Sequence, residues 1–429
     1  MSEDLVTSDL LQLSQRSRQA SGQPISTLMA QALANPELIS LAAGFVDQKS
    51  LPAAATQAAL QSIFADPQRA RAALQYGTTP GFAPLREQLL ARLRAADGHP
   101  AAEESLTIDQ IVVTAGSNQL LHLVCETLMD PGDIVLCAAP SYFVFLGLLA
   151  NLGVRSVGVA MDADGMIPQA LDESLERLHA SGEFSRVKAI YCTSYYDNPC
   201  SVTLSADRRP EIVQLARKWS LASRIHLIED AAYRELRYEG EDLPSMRAFD
   251  ETGEFVIHAG TFSKSYSPGI RVGWGVLPPD LVEPLCNQKG NLDFGSPNFA
   301  QHLMHAVIDE GNFDDHVRTL RESYRVKLRA MLQSADAHLA SIPGVSWLAP
   351  QGGLYLWLTL PEGIDTGPRG TLFDRATRAG VLYVPGEYCF PAEGPRQTNT
   401  IRLSFGVQPA EKIRQGMAAL AEAIGQSIR

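Results

Sequence analysis

From about residue 105 to 280 the chain alternates short, wholly apolar runs with longer stretches that are apolar on one face only. Runs of that kind suit strands buried on both faces, and the amphipathic stretches suit helical crossovers, so the pattern predicts a mostly parallel sheet. The predicted strands are Ile111-Val-Val-Thr, Ile134-Val-Leu-Cys, Val187-Lys-Ala-Ile-Tyr-Cys, Ile225-His-Leu-Ile, Phe255-Val-Ile-His and Val272-Gly-Trp-Gly-Val-Leu. Helices are predicted from Gln119 to Met129, stopping at Asp130-Pro-Gly-Asp, and from Asp207 to Trp219, opening on Ser-x-Asp with an early proline. A long charged helix is predicted from Asn312 to Leu339. Beyond it come short strands punctuated by proline and glycine: Gly344-Val-Ser-Trp-Leu, Gly353-Leu-Tyr-Leu-Trp-Leu, Val381-Leu-Tyr-Val and Thr400-Ile-Arg-Leu-Ser-Phe, then an amphipathic helix from Pro409. The expected organisation is α/β, with a large domain over residues 51–330, a smaller α+β domain over 331–429, and an N-terminal segment, 1–50, contributing to the small domain and the site.

Composition narrows the function classes. The 429 residues are 45% hydrophobic and 20% charged, an ordinary globular balance. The net charge of -12 is spread along the chain with no basic arm, which argues against a nucleic-acid surface. No apolar run reaches the roughly 20 residues of a membrane span. The first twenty residues carry early acids and lack a basic segment followed by an apolar one, so no secretory signal is expected. Six cysteines are scattered without a Cys-x-x-Cys pair, so neither structural zinc nor a disulfide framework is expected, and a reducing cytoplasm is the default.

In an open parallel sheet, loops at the carboxyl ends of strands converge on one crevice. Four such ends carry informative residues: Ala115-Gly-Ser-Asn, a small-residue turn opening a helix and suited to a phosphate; Thr193-Ser-Tyr-Tyr-Asp-Asn-Pro; Glu229-Asp-Ala-Ala-Tyr; and Thr261-Phe-Ser-Lys264. Singly, the first is an ordinary turn, Glu-Asp is a common helix cap and a lone lysine is usually solvated. Their shared location at strand ends is what gives them weight.

Taken in order, these residues resemble the fold-type I pyridoxal-phosphate enzymes, specifically the class I/II aminotransferases, and within them the branch holding 2-aminoadipate and kynurenine aminotransferases. The resemblance rests on Tyr76-Gly-Thr-Thr-Pro-Gly, Gly116-Ser-Asn-Gln, Asp130-Pro-Gly-Asp, Pro140-Ser-Tyr, Asp197-Asn-Pro, Glu229-Asp-Ala-Ala-Tyr, Ser263-Lys-x-x-x-Pro-Gly-x-Arg-x-Gly and Ile401-Arg-Leu-Ser-Phe. It runs from about residue 40 to the C-terminus, and the Ser-Lys motif is its most specific part.

The resemblance implies an aspartate aminotransferase-like fold with a mostly parallel, seven-stranded type of sheet flanked by helices. It implies pyridoxal 5'-phosphate as cofactor, with L-α-amino acid and 2-oxo acid substrates exchanging an amino group by a ping-pong route. Lys264 would hold the cofactor covalently and then carry the α-proton, work that suits a desolvated lysine beside other cations. Asp230 would pair with the pyridine nitrogen; Tyr233 and Asn198 would bond the phenolic oxygen; Tyr142 would stack on the ring. Gly116, Ser117, Asn118, Thr261, Ser263 and Arg271 would hold the phosphate, Arg271 by a bidentate fork. Tyr76 would reach the partner's phosphate across a homodimer interface. Arg402 would clamp the substrate carboxylate, assisted by Asn198 and the backbone at Gly44. No metal, nucleic acid or membrane is implied.

The chain departs from the family pattern in places. Asn198-Pro199-Cys200-Ser201 stands where Asn-Pro-Thr-Gly is usual. A left-handed position suits glycine far better than serine, so the substitution puts this turn's conformation in question. Cys200 is read as a small buried hydrophobe rather than a nucleophile. Met29 stands where aminoadipate-type members offer an arginine, which favours an uncharged substrate; Met29, Phe45 and Cys200 are expected to choose the amino acid. Two other outcomes share the same constellation: a lyase, cyclising synthase or oxidative deaminase, and a non-catalytic cofactor-binding regulator, which would need a fused DNA-binding unit that fewer than fifty residues cannot supply.

Overall fold

Ile111–Thr114 and Ile134–Ala139 are buried at every residue, and Val187–Thr193 at most, as strands covered on both faces must be. The computed structural model describes residues 12–20, 26, 28, 30, 31, 34–98 and 106–428. Its first nine strands are β1 (Ile39–Ser40), β2 (Ile111–Thr114), β3 (Ile134–Ala139), β4 (Arg155–Asp162), β5 (Gly165–Met166), β6 (Val187–Thr193), β7 (His226–Asp230), β8 (Val256–Thr261) and β9 (Gly273–Val276). Eight of them form one sheet in the order β2-β9-β8-β7-β6-β3-β4-β5. The pairs β4–β3, β3–β6, β6–β7 and β7–β8 are parallel, whereas β9 runs antiparallel to both its neighbours and β5 antiparallel to β4. The expected seven strands are therefore present, with the two-residue β5 as an eighth.

Two differences from the predicted strands bear on the site. β7 and β8 continue to Asp230 and Thr261, so these two are the final residues of strands rather than members of the following loops. β4 was absent from the predicted set because its burial largely alternates, with polar positions interrupting the apolar run.

The remaining strands are β10 (Ser346–Trp347), β11 (Tyr355–Thr359), β12 (Val381–Leu382), β13 (Val384–Pro385) and β14 (Thr400–Ser404). They give a second, antiparallel sheet in the order β10-β11-β14-β13, while β12 pairs in parallel with β1 from the N-terminal segment. The run predicted as one strand from Val381 to Val384 is thus broken at Tyr383. The helix Asn312–His338 joins the two parts: Phe313 and Val317 lie in the apolar core beside β2 and β9, and Leu328, Met331 and Ala335 in the core of the second sheet. That second core also takes in Tyr195, Tyr196, Ala231 and Tyr233, which follow β6 and β7. The loops leaving the large sheet are in this way pinned against the small one, at roughly 1.5–3 kcal/mol for each large apolar side chain buried. Among the described residues no helix is long and apolar enough to cross a membrane, and no cluster of side chains is suited to a metal.

Candidate active site

The turn after β2 is shaped by two glycines. Gly116 adopts φ 85°, and a Cβ there would lie 2.6 Å from Arg271 Nη2. A Cβ on Gly273 would lie 2.4 Å from Ser117 N. Only without side chains can β9 and Arg271 close this tightly on the start of the Ser117–Leu128 helix. That helix begins without a side-chain cap, so the N–H groups of Ser117 and Asn118 face outward beside a positive dipole end. Arg271 Nη2 donates to Ala115 O at 3.1 Å and Nη1 to Pro268 O at 3.2 Å, bringing the guanidinium to the same turn. Thr261 Oγ1 donates to Ser263 Oγ at 3.0 Å, and Ser263 N to Thr261 Oγ1 at 3.2 Å. A helix start, two hydroxyls and an arginine thus sit together, as an anion requires.

Two neighbouring carboxylates at the end of β7 meet opposite fates. Glu229 is fully buried, and burial alone would raise its pKa, but His258 Nδ1 at 2.9 Å and the nearby Arg209 hold it down at about 2. Asp230, 4% exposed, receives two neutral donors among the described residues, Tyr191 Oη at 3.0 Å and Ala232 N at 3.1 Å. Burial accordingly raises its pKa. A buried carboxylate held this way gains from a cationic N–H partner. Above it, Asn118 hydrogen-bonds the Tyr142 hydroxyl, whose pKa burial raises.

The other side of the site is a strap of backbone, Ala42 to Gly44. Lys264 Nζ donates to Gly44 O at 2.9 Å. Arg402, on β14 and 1% exposed, donates from Nη2 to Ala42 O at 2.8 Å and from Nη1 to Asn198 Oδ1 at 2.8 Å, while its buried Nε has no partner among the described residues. Its guanidinium lies 4.3 Å from the Tyr355 ring and 5.2 Å from the Phe143 ring. A buried cation with neutral acceptors and a spare donor is poised for an anion. Tyr233 Oη meets Tyr355 Oη at 3.1 Å.

Ser201 keeps the left-handed conformation that its usual glycine would take, with φ 55°. Its Oγ accepts from Tyr355 N at 3.2 Å, which anchors the turn in another way. Burial pushes the Cys200 thiol well above its ordinary pKa, so it is no nucleophile. Phe45 is 48% exposed beside Gly44; Met29 lies outside the described residues. Tyr76 stands apart from the other predicted residues, 82% exposed, with its ring 5.5 Å from Phe294. Ala42, Phe143, Tyr191 and Tyr355 were missed from sequence. All four act through partners remote in the chain, and strand register, which alone sets Tyr355 beside Arg402, is not written in a motif.

The donor set fits pyridoxal phosphate. Among the described residues it offers a lysine amine bound to a carbonyl alone, a buried carboxylate paired with no cation, and a cradle where a Cβ on Gly116 or Gly273 would collide.

A family model described as aminotransferase class I and II matches residues 36–420. The chain is 35% identical to aromatic-amino-acid aminotransferase 1 of Thermococcus litoralis, over 92% of this chain and 89% of the relative. It is 30% identical to 2-aminoadipate transaminase of Thermus thermophilus, over 91% and 90%. A solved kynurenine aminotransferase of Pyrococcus horikoshii superposes with a TM-score of 0.90 at 32% identity, covering 99% of each chain.

Proposed function

The chain belongs to the class I and II aminotransferases and is a pyridoxal-phosphate-dependent transaminase, and from that premise we propose how its residues divide the work and which amino acid they take. Bound pyridoxal phosphate supplies an electron-withdrawing ring that accepts the charge left when the α-proton departs. Lys264 would hold it covalently, and its Nζ would serve as the base that carries the proton of the substrate α-carbon. Asp230 pairs with the pyridine N–H. Tyr233 donates to the phenolic oxygen, and Asn198, with Oδ1 already accepting from Arg402, has its amide N–H free to do the same. Gly116, Ser117, Asn118, Thr261, Ser263 and Arg271 take the phosphate, and Tyr142 covers the ring face.

Arg402 takes the α-carboxylate, aided by the strap at Gly44. The single observation carrying this reading is that the lysine amine and the arginine guanidinium meet one strap two residues apart, at Gly44 O and Ala42 O. That spacing suits an α-amino acid, whose amine and carboxylate share one carbon.

Among the described residues, the aromatic groups beside Gly44 and Arg402 that a side chain could meet are neutral: Phe45, Tyr355 and Phe143. This supports an aromatic or other uncharged amino acid, in line with the relatives named for aromatic amino acids and kynurenine. In a panel of donors against 2-oxoglutarate, phenylalanine and tyrosine should exceed 2-aminoadipate in kcat/KM by about tenfold, since an unpaired carboxylate in an apolar pocket costs at least 1–3 kcal/mol. A reversed preference would overturn the assignment. Tyr76 with exposed Phe294, Leu292 and Leu74 makes an apolar surface that suits a homodimer in which Tyr76 crosses to the partner's phosphate, checked by sedimentation at twice the chain mass. Cytoplasmic residence fits the unpaired cysteines.

A further inference from the structure

Tyr233 is the proposed donor to the cofactor's phenolic oxygen, and Arg402 the proposed carboxylate clamp. One side chain touches both. Tyr355 is 1% exposed on β11. Its hydroxyl lies 3.1 Å from the Tyr233 hydroxyl, with the rings edge-on at 5.9 Å and 75°. The Arg402 guanidinium lies over the same ring at 4.3 Å.

These contacts follow from the sheet. Tyr355 pairs with Ser404, and Arg402 with Trp357, so Tyr355 and Arg402 are diagonal neighbours on one face. The backbone makes room for the hydroxyl: a Cβ on Gly44 would lie 2.6 Å from Tyr355 Oη. The backbone N of Tyr355 is tied to Ser201 Oγ at 3.2 Å, so its position is set by the same turn that carries Asn198.

A tyrosine hydroxyl has one proton and can also accept. If Tyr233 gives its proton to the phenolic oxygen, its lone pairs remain to accept from Tyr355, and donors in series strengthen one another. A phenylalanine at 355 would supply the same ring over Arg402. The hydroxyl is the added feature, and a buried hydroxyl costs free energy unless bonded.

We propose that Tyr355 is a positioning residue for both halves of the site: its hydroxyl orients the Tyr233 proton toward the cofactor's phenolic oxygen, and its ring steadies the Arg402 guanidinium. The proposal rests on the assignment of Tyr233 given above. With the cofactor bound, donors on its phenolic oxygen would spread the negative charge there and weaken the hold on a proton shared with the Lys264 nitrogen. With the chain of donors shortened, that nitrogen keeps its proton to higher pH.

The test uses the visible absorption of the holoenzyme as a function of pH, with steady-state kinetics beside it. Tyr355→Phe should move the midpoint of the colour change upward by roughly 0.5 to 1 pH unit, the size of one net hydrogen bond, while KM for the amino acid stays within about twofold. Tyr355→Leu should give the same spectral shift and raise KM about three- to tenfold as the ring contact with Arg402 goes. Placed on a Tyr233→Phe background, Tyr355→Phe should add nothing, because its route to the cofactor is already cut. An unmoved midpoint in Tyr355→Phe, where Tyr233→Phe alone moves it, overturns the inference and spares the Tyr233 assignment. A midpoint that Tyr233→Phe leaves in place overturns both. Should Tyr355→Leu fail to fold, the Phe pair still decides the outcome.

Discussion

The lysine side and the arginine side of the site are built from chain at very different ranges. Thr261, Ser263, Lys264 and Arg271 lie within one stretch of eleven residues, although Lys264 and Arg271 also bond Gly44 O and Ala115 O across 220 and 156 residues, whereas Arg402 comes alone from its strand and bonds Asn198 and Ala42 across 204 and 360 residues. The lysine side grows from the ends of β8 and β9 in the rigid sheet and closes on a helix start through glycines with no space to spare. The arginine side exists only where the second sheet meets the loops after β6 and the strap at Ala42. One side is therefore built mainly within the large sheet and the other by docking of two cores, which predicts different responses to damage.

The largest effect is expected at Lys264. Lys264→Ala should lower turnover by at least roughly 10^4-fold, the scale of losing a covalent catalyst, and remove the borohydride-sensitive attachment of the cofactor. Arg402→Ala comes next. It should cut kcat/KM for the amino acid by roughly 10^2- to 10^3-fold, since removing one side of a buried charge pair costs about 2–5 kcal/mol. The comparison is sharpened by the cofactor's own affinity, which Arg402→Ala should leave within a fewfold and Arg271→Ala should weaken about tenfold or more. Equal losses of cofactor affinity, measured by dialysis and absorbance, would show that the two sides are not separately built.

The same contrast decides what was legible in the sequence. Ser263-Lys-x-x-x-Pro-Gly-x-Arg-x-Gly carries its geometry with it, because the turn and glycines that place Arg271 are in the motif itself. Asp230 is legible because Glu229-Asp-Ala-Ala-Tyr follows the apolar run Ile225–Ile228, although the strand continues two residues further, through Asp230. Arg402 was visible as a charge in an apolar strand, but its acceptors at Ala42 and Asn198 were a matter of tertiary packing. Tyr191 and Tyr355 read as ordinary apolar-strand aromatics; the register of β6 with β7 makes Tyr191 the partner of Asp230, and docking of the second sheet on the turn after β7 makes Tyr355 the partner of Tyr233. β4 was overlooked for a simpler reason, its alternation of buried and half-exposed positions.

The loop from Asp197 to Val202 connects the two sides and offers a finer probe. Burial raises the Asp197 carboxyl from 3.8 to about 7, with its Oδ1 accepting from Val202 N at 2.7 Å. Its folded pKa lies above its unfolded one, so the folded chain binds the extra proton between about pH 4 and 7. Stability from this group is accordingly lost as pH rises through that window. Asp197→Asn keeps an acceptor oxygen for Val202 N and removes the charge. It should raise the urea midpoint at pH 8, by up to a few kcal/mol in stability, and change it little at pH 4. A gain of the same size at both pH values would mean that the carboxylate is not the strained species.

The smallest effect separates two contributions within a single residue of that loop. Ser201 holds φ 55° and also accepts from Tyr355 N at 3.2 Å. Ser201→Ala loses the acceptor and keeps the unfavourable backbone, so it should destabilise by about 1–2 kcal/mol. Ser201→Gly loses the same acceptor but relieves a left-handed conformation that costs a residue with a Cβ about 1 kcal/mol, against the greater freedom of glycine in the unfolded chain. Glycine should therefore come out more stable than alanine by about 0.5 kcal/mol in urea unfolding, with cofactor binding unchanged in both. If alanine matched or exceeded glycine, the backbone would have relaxed elsewhere. The turn's shape would then rest on its hydrogen bonds, Val202 N to Asp197 Oδ1 within the loop and, in the native chain, Tyr355 N to Ser201 Oγ from the second sheet, rather than on the conformation of residue 201.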